Sequence, residues 1–163
     1  MLPQAAGAQP VRDISGLAVE LAYDYCLPCA EGRVRIDGPE LKALGFAAPV
    51  ARKTHPRAGQ IEMVELKWAD GSITFAVSSD ATFCQVNVFG PNAAAAHANL
   101  RSSLPRLNRK FAPDAPNSFN RNGIQVETLN ARLDSENILF VQFVRAVGPA
   151  ADMTGFQIGA LEQ

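Results

Sequence analysis

IEMVELKWADGSITFAVSSDATFCQVNVFG, from Ile61 to Gly90, reads as three antiparallel strands in succession. Its first arm sets Glu62, Val64, Leu66 and Trp68 on one face and Ile61, Met63, Glu65 and Lys67 on the other, the period of two of a strand. Asp70-Gly71 then predicts a tight type I′ hairpin, because that dipeptide tolerates positive φ and alternating residues flank it. The second arm, Ser72 to Ser78, aligns Ile73, Phe75 and Val77. Ser79-Asp80 turns the chain again, and the third arm, Thr82 to Phe89, aligns Cys84, Val86 and Val88 before Gly90-Pro91 ends it.

Downstream, Asn92 is placed to cap a helix from Ala93 to Leu104, with Ala93, Ala96, Leu100 and Leu104 as its inner stripe, His97 beside it and Pro105 as its stop. Phe111 to Gly123 reads as a loop, with Phe119 and Arg121 at its tip as candidates for contacting a partner. An Asn122-Gly123 turn leads into a second run of three strands, Ile124 to Leu133, Ile138 to Val147 and Met153 to Leu161.

Upstream, Ile14, Leu17, Ala18, Leu21, Tyr25 and Cys29 recur at helical spacing behind a capping Asp13, and Pro28 predicts the end of that helix near Leu27. An alternating pattern over Val19, Leu21, Tyr23 and Tyr25 keeps a strand open as the rival. Pro39 to Gly45 predicts a short helical turn, and Ala47 to Gln60 a loop with a basic cluster of Arg52, Lys53, His55 and Arg57. The element order is helix, three strands, helix, three strands. It predicts an α+β domain over residues 13–163, one antiparallel sheet of about six strands with two main helices on one face, behind a disordered segment 1–12.

Hydrophobic residues make up 47% of the 163-residue chain and charged residues 19%, values that argue against disorder and against a coiled coil. The net charge of −1 provides no general attraction to nucleic acid or to an anionic membrane. No apolar run approaches the roughly 18 residues of a membrane-spanning helix.

The three cysteines carry the sharpest alternatives. Cys26-Leu27-Pro28-Cys29 has the C-x-P-C form of a thiol-disulfide oxidoreductase, whose first thiol is activated at a helix N-terminus. Here the pair falls at the end of the expected helix, where the dipole works against a thiolate. A structural disulfide from Cys26, or from Cys29, to Cys84 is the competing reading. In the chain-entropy model a Cys26–Cys84 link stabilises by about 4 kcal/mol and a Cys26–Cys29 link by about 2 kcal/mol. Neither His55 nor His97 lies at finger spacing from the pair, so no metal site is assigned. No Gly-rich phosphate loop, H-E-x-x-H or G-x-S-x-G occurs, no cofactor is implied, and Asp24, Glu62, Glu65 and Glu127 are scattered.

The uncharged, Ala- and Pro-rich start MLPQAAGAQP fits a chain that begins after a removed export leader, with a cytosolic protein as the alternative. The sequence therefore points to a periplasmic or secreted, bacterial-type, non-enzymatic binding or structural domain held by one disulfide, with a protein or small molecule as its partner. A Cys26/Cys29 oxidoreductase and a basic-loop binder of phosphate or nucleic acid are the alternatives.

Overall fold

The computed structural model describes residues 13–30, 32–54, 61–78, 83–149 and 151–162. The expected disordered segment 1–12, the basic residues His55 and Arg57 and the Ser79-Asp80 turn lie outside them. Nine strands among these residues form one sheet: β1 (Val50–Thr54), β2 (Ile61–Lys67), β3 (Ile73–Ser78), β4 (Phe83–Phe89), β5 (Ala112–Pro113), β6 (Phe119–Arg121), β7 (Ile124–Arg132), β8 (Asn137–Val147) and β9 (Asp152–Glu162). The order is β1-β2-β3-β4-β9-β8-β7-β5, with β6 also on β7, and every pairing is antiparallel. Two meanders thus meet at a central seam between β4 and β9.

This corrects the α+β arrangement of about six strands: the fold is dominated by a nine-stranded sheet. The three additional strands occupy segments read as loops, β1 within Ala47 to Gln60 and β5 and β6 within Phe111 to Gly123. Their sequences VARKT, AP and FNR lack an apolar alternation, and their ladders to β2 and β7 place them at the sheet's edges. Pro113 in β5 is tolerated only at such an edge.

The two Gly-containing turns behave differently. Asn122 and Gly123 both adopt positive φ, 54° and 74°, and join Arg121 to its partner Ile124 in a two-residue hairpin of the type I′ kind. Around Asp70 only Gly71 is left-handed, with φ of 76°. Trp68 N–H reaches Ile73 C=O across a longer loop closed by Gly71 N–H on Trp68 C=O at 2.9 Å, so the expected type I′ turn is absent there.

The N-terminal helix is continuous through three segments: α1 (Ile14–Glu20), a π-helical stretch (Leu21–Tyr25) and α2 (Cys26–Ala30). Asp13 caps it, its carboxylate accepting from Ser15 N–H at 3.2 Å and from the Ser15 hydroxyl at 2.9 Å. The helix runs past Pro28 instead of ending before it. The wider π turn immediately upstream relieves the clash that a proline ring makes with the carbonyl four residues back.

That π turn also sets which side chains face the sheet. In a regular helix, at about 100° per residue, Cys26 would lie roughly 180° around from Leu17. The i→i+5 bond from Cys26 N–H to Leu21 C=O absorbs one extra residue and turns Cys26 back toward the sheet. Cys26 is fully buried and Tyr25, expected in the stripe, is only partly so.

Two further α-helices follow, α3 (Pro39–Leu44), stopped by left-handed Gly45, and α4 (Ala93–Ser102), with short 3-10 turns at Leu104–Leu107 and Ala115–Asn117. α1 and α4 pack against each other and on β4, β8 and β9. The Tyr23 hydroxyl donates to Leu100 C=O at 2.5 Å and ties the two helices together. Beneath them, cross-strand partners Phe143, Phe156, Val86, Phe75 and Leu66 form one row across five strands, each 2% exposed or less. Phe156 stands between the rings of Tyr23 and Phe143 at centroid distances of 5.2 and 5.7 Å. Burying a side chain of this size contributes about 1.5–3 kcal/mol.

Candidate functional site

Cys26 and Cys84 form a disulfide that closes 58 residues of chain and fastens α2 to β4. Cys29 is the free cysteine, 6% exposed. Burial, with a further contribution from the charge of Glu40, pushes its thiol up to about 11. Thiol exchange needs an accessible, low-pKa thiolate. In this C-x-P-C the first sulfur is bonded to β4 and the second is a buried neutral thiol at a helix C-terminus.

The remaining chemistry-bearing residues are engaged pairwise. Arg106 binds Asp24 at 2.5 Å and lies over the Tyr23 ring, and Arg101 grips Glu127 with two hydrogen bonds of 2.8 and 3.1 Å. Arg101 and Arg106 of the basic run Arg101, Arg106, Arg109 and Lys110 are thus held in ion pairs, and Arg109 and Lys110 lie on the exposed segment that follows. Glu62 and Glu65 sit on β2, away from both pairs.

His97 on α4 meets Thr154, a fully buried residue of β9, at 3.0 Å. The Thr154 hydroxyl donates to Val144 C=O at 2.8 Å, so its oxygen is left to accept from His97 Nδ1–H. Arg145 alongside holds the Asp152 carboxylate and Met153 C=O. Burial first, then the charges of Arg101 and Arg145, lower the His97 pKa. With its hydroxyl committed to Val144 C=O, Thr154 is a poor nucleophile, and the cluster works as a polar pin between α4 and the sheet. Among the described residues no three His, Cys, Asp or Glu side chains gather to hold a metal ion.

The two residues singled out at the loop tip fall on the other side of the sheet. Phe119 pairs with Val126 and Arg121 with Ile124, in a register that places all four on the face opposite the helices. Arg121 lies over the Phe119 ring at 5.0 Å. The register extends this patch inward, since Ile124, Ala146, Met153 and Phe89 are successive cross-strand partners on β7, β8, β9 and β4, and Val144 adjoins Val126. Phe119, Ile124 and Phe89 are 40, 41 and 40% exposed. A contiguous apolar strip with Arg121 at its rim results, on the face opposite α1 and α4, where the short 3-10 turn Ala115–Asn117 also sits and its Asn117 C=O accepts from the Thr128 hydroxyl at 2.7 Å.

Sequence reasoning placed Phe119 and Arg121 at a tip and missed the strip they border. Alternation in β7 marked Ile124 and Val126, but membership of Met153 and Phe89 depends on the β9–β4 pairing, which no local pattern carries. Comparison with protein-family models, with curated proteins and with solved structures finds no match.

Proposed function

We propose that this chain is a disulfide-stabilised, non-enzymatic binding domain of an oxidising compartment, periplasmic or secreted, that holds a protein partner on the exposed apolar strip of the sheet face opposite α1 and α4. The observation that carries this reading is the exposed apolar strip bordered by Arg121. Singly exposed hydrophobic residues are ordinary, whereas contiguous ones rimmed by a polar group mark interaction surfaces. The complementary partner presents an apolar patch with a carboxylate opposite Arg121.

The Cys26–Cys84 bond supports the compartment, because disulfides persist where the redox poise is oxidising. No helix among the described residues is long and apolar enough to cross a membrane. The buried Cys29 thiol weighs against the oxidoreductase alternative.

The test is site-specific photo-crosslinking in the source cells, with benzoylphenylalanine at Phe119 or Ile124 on the strip and at Glu40 on α3 as control. One discrete cross-linked species from the strip positions, lost on Phe89→Asp and missing from the Glu40 position, is expected. No adduct at Phe119 and Ile124, or equal adducts at all three positions, refutes the binding surface. Alkylating thiols in the same cells should count one free thiol per chain, and three would rule out the oxidising compartment.

A further inference from the structure

On the helix side of the sheet, between the end of α2 and the outer strands β2 and β3, lies a cavity of about 390 Å³. Cys29, Val34, Ile36, Pro49, Val64 and Val77 supply its apolar walls. We propose that this cavity is a binding site for a small uncharged apolar ligand, a ring system or short chain of about a dozen non-hydrogen atoms at the roughly 30 Å³ that a water-sized unit occupies in a liquid.

The walls are built and held. Val77 is the cross-strand partner of Cys84, so the disulfide that anchors α2 also fixes the Cys29 wall over β3. The opposite wall turns back from the helix end through two hydrogen bonds to one acceptor, Arg33 N–H and Val34 N–H on Pro28 C=O at 2.8 and 3.1 Å. Gly38 N–H closes on Arg35 C=O at 2.9 Å, and a β-carbon at Gly38 would meet that same oxygen at 2.9 Å, so the tight Arg35–Gly38 turn requires glycine there. Preorganised walls spare a ligand the entropy of ordering them.

The chemistry of the lining selects the ligand. Arg35 and Asp37 at the mouth bind each other through two 2.8 Å hydrogen bonds, so the rim presents a neutralised pair and not a free charge. Inside, the Cys29 thiol is neutral and behaves as a small polarisable hydrophobe. A charged ligand entering here would lose its hydration with no counter-charge to replace it, whereas an apolar one gains on transfer. The site is separate from the sheet-face strip, since Val64 and Val77 point to the helix side, and failure of either proposal leaves the other standing.

Indole serves as the probe, titrated calorimetrically into the oxidised protein. A saturable one-to-one heat is expected, together with at least about a tenfold slowing of Cys29 modification by methyl methanethiosulfonate at saturating indole. Val64→Trp, which fills the cavity, should abolish the heat, as should Ile36→Trp from the exposed turn if the first variant folds poorly by circular dichroism. Thiomethylation of Cys29 in the unmutated chain should abolish it too, while Phe119→Asp on the opposite face should leave it unchanged. The absence of saturable heat overturns the proposal, as does heat that survives both filling variants or disappears in Phe119→Asp.

Discussion

Breaking the Cys26–Cys84 bond is the perturbation whose size the structure specifies best. The bond spans 58 residues, and the chain-entropy model assigns about 4 kcal/mol to closing a loop of that length in the unfolded chain. Both sulfurs are fully buried, so the native contacts around them persist after reduction and the effect falls mainly on the unfolded state. With a urea dependence of about 2 kcal/mol per molar, reduction should lower the unfolding midpoint by roughly 2 M. The protein is reduced in denaturant, refolded under reductant and compared with the oxidised form. Trp68, the single tryptophan, stacks edge-on against Phe46 at 5.1 Å and reports the transition by fluorescence alongside circular dichroism. Cys29→Ala in both states should preserve the difference. A shift below about 0.5 M refutes the reasoning, because the loop would then be closed already by residual structure in the unfolded chain. A difference that shrinks in Cys29→Ala would mean that Cys29 competes for Cys26.

Three further measurements follow from the packing and the titrations. Iodoacetamide should modify Cys29 at pH 8 on the order of a hundredfold more slowly in the native protein than in urea, since a thiol at about 11 is roughly one part in a thousand thiolate at that pH. Rates within threefold of each other would contradict the burial. His97 is held below its unfolded value of about 6.5, so the unfolded state takes up the proton first. Its contribution to stability is full above that pH and is lost as pH falls from the unfolded toward the folded value; urea midpoints of wild type and His97→Gln should converge over this window, and parallel profiles would disprove it. Phe156→Ala opens the centre of the core between Tyr23 and Phe143 and should cost about 3–5 kcal/mol in urea unfolding, a loss under 1 kcal/mol being inconsistent with the packing.

Periodicity made the long strands legible. β2, β3 and β4 lie within the stretch that alternates most clearly, β7 to β9 lie close to the second run, and Asn122-Gly123 forms the turn its chemistry asks for. What stayed hidden is held by non-local bonding. β1, β5 and β6 exist because a neighbour offers an open edge, and their own side chains contain no record of it. The stripe through Leu17 and Leu21 was read correctly, but extending it at 3.6 residues per turn selected Tyr25, because a π turn leaves no residue signature of its own. The cavity wall was invisible for a similar reason: residues 32–37 have no periodicity and acquire their place from two hydrogen bonds to Pro28. At the sheet face, Phe119 and Arg121 could be named from the sequence, whereas the strip they border requires the register of four strands.

The seam between β4 and β9 has a consequence for biogenesis. β9 is the last of the described strands in chain order, yet it is the one that joins the two meanders, so a chain emerging N-terminus first carries β4 and later β8 with bare central edges until Asp152–Glu162 arrives. Cys26 and Cys84 are both available well before that point, and the early half can be covalently closed while the β4 edge still lacks a neighbour. Premature termination within β8 would therefore yield an oxidised, edge-exposed species suited to pairing with another copy of itself, and holding that edge apart until β9 is made is the task this topology sets for any chaperone that receives the chain.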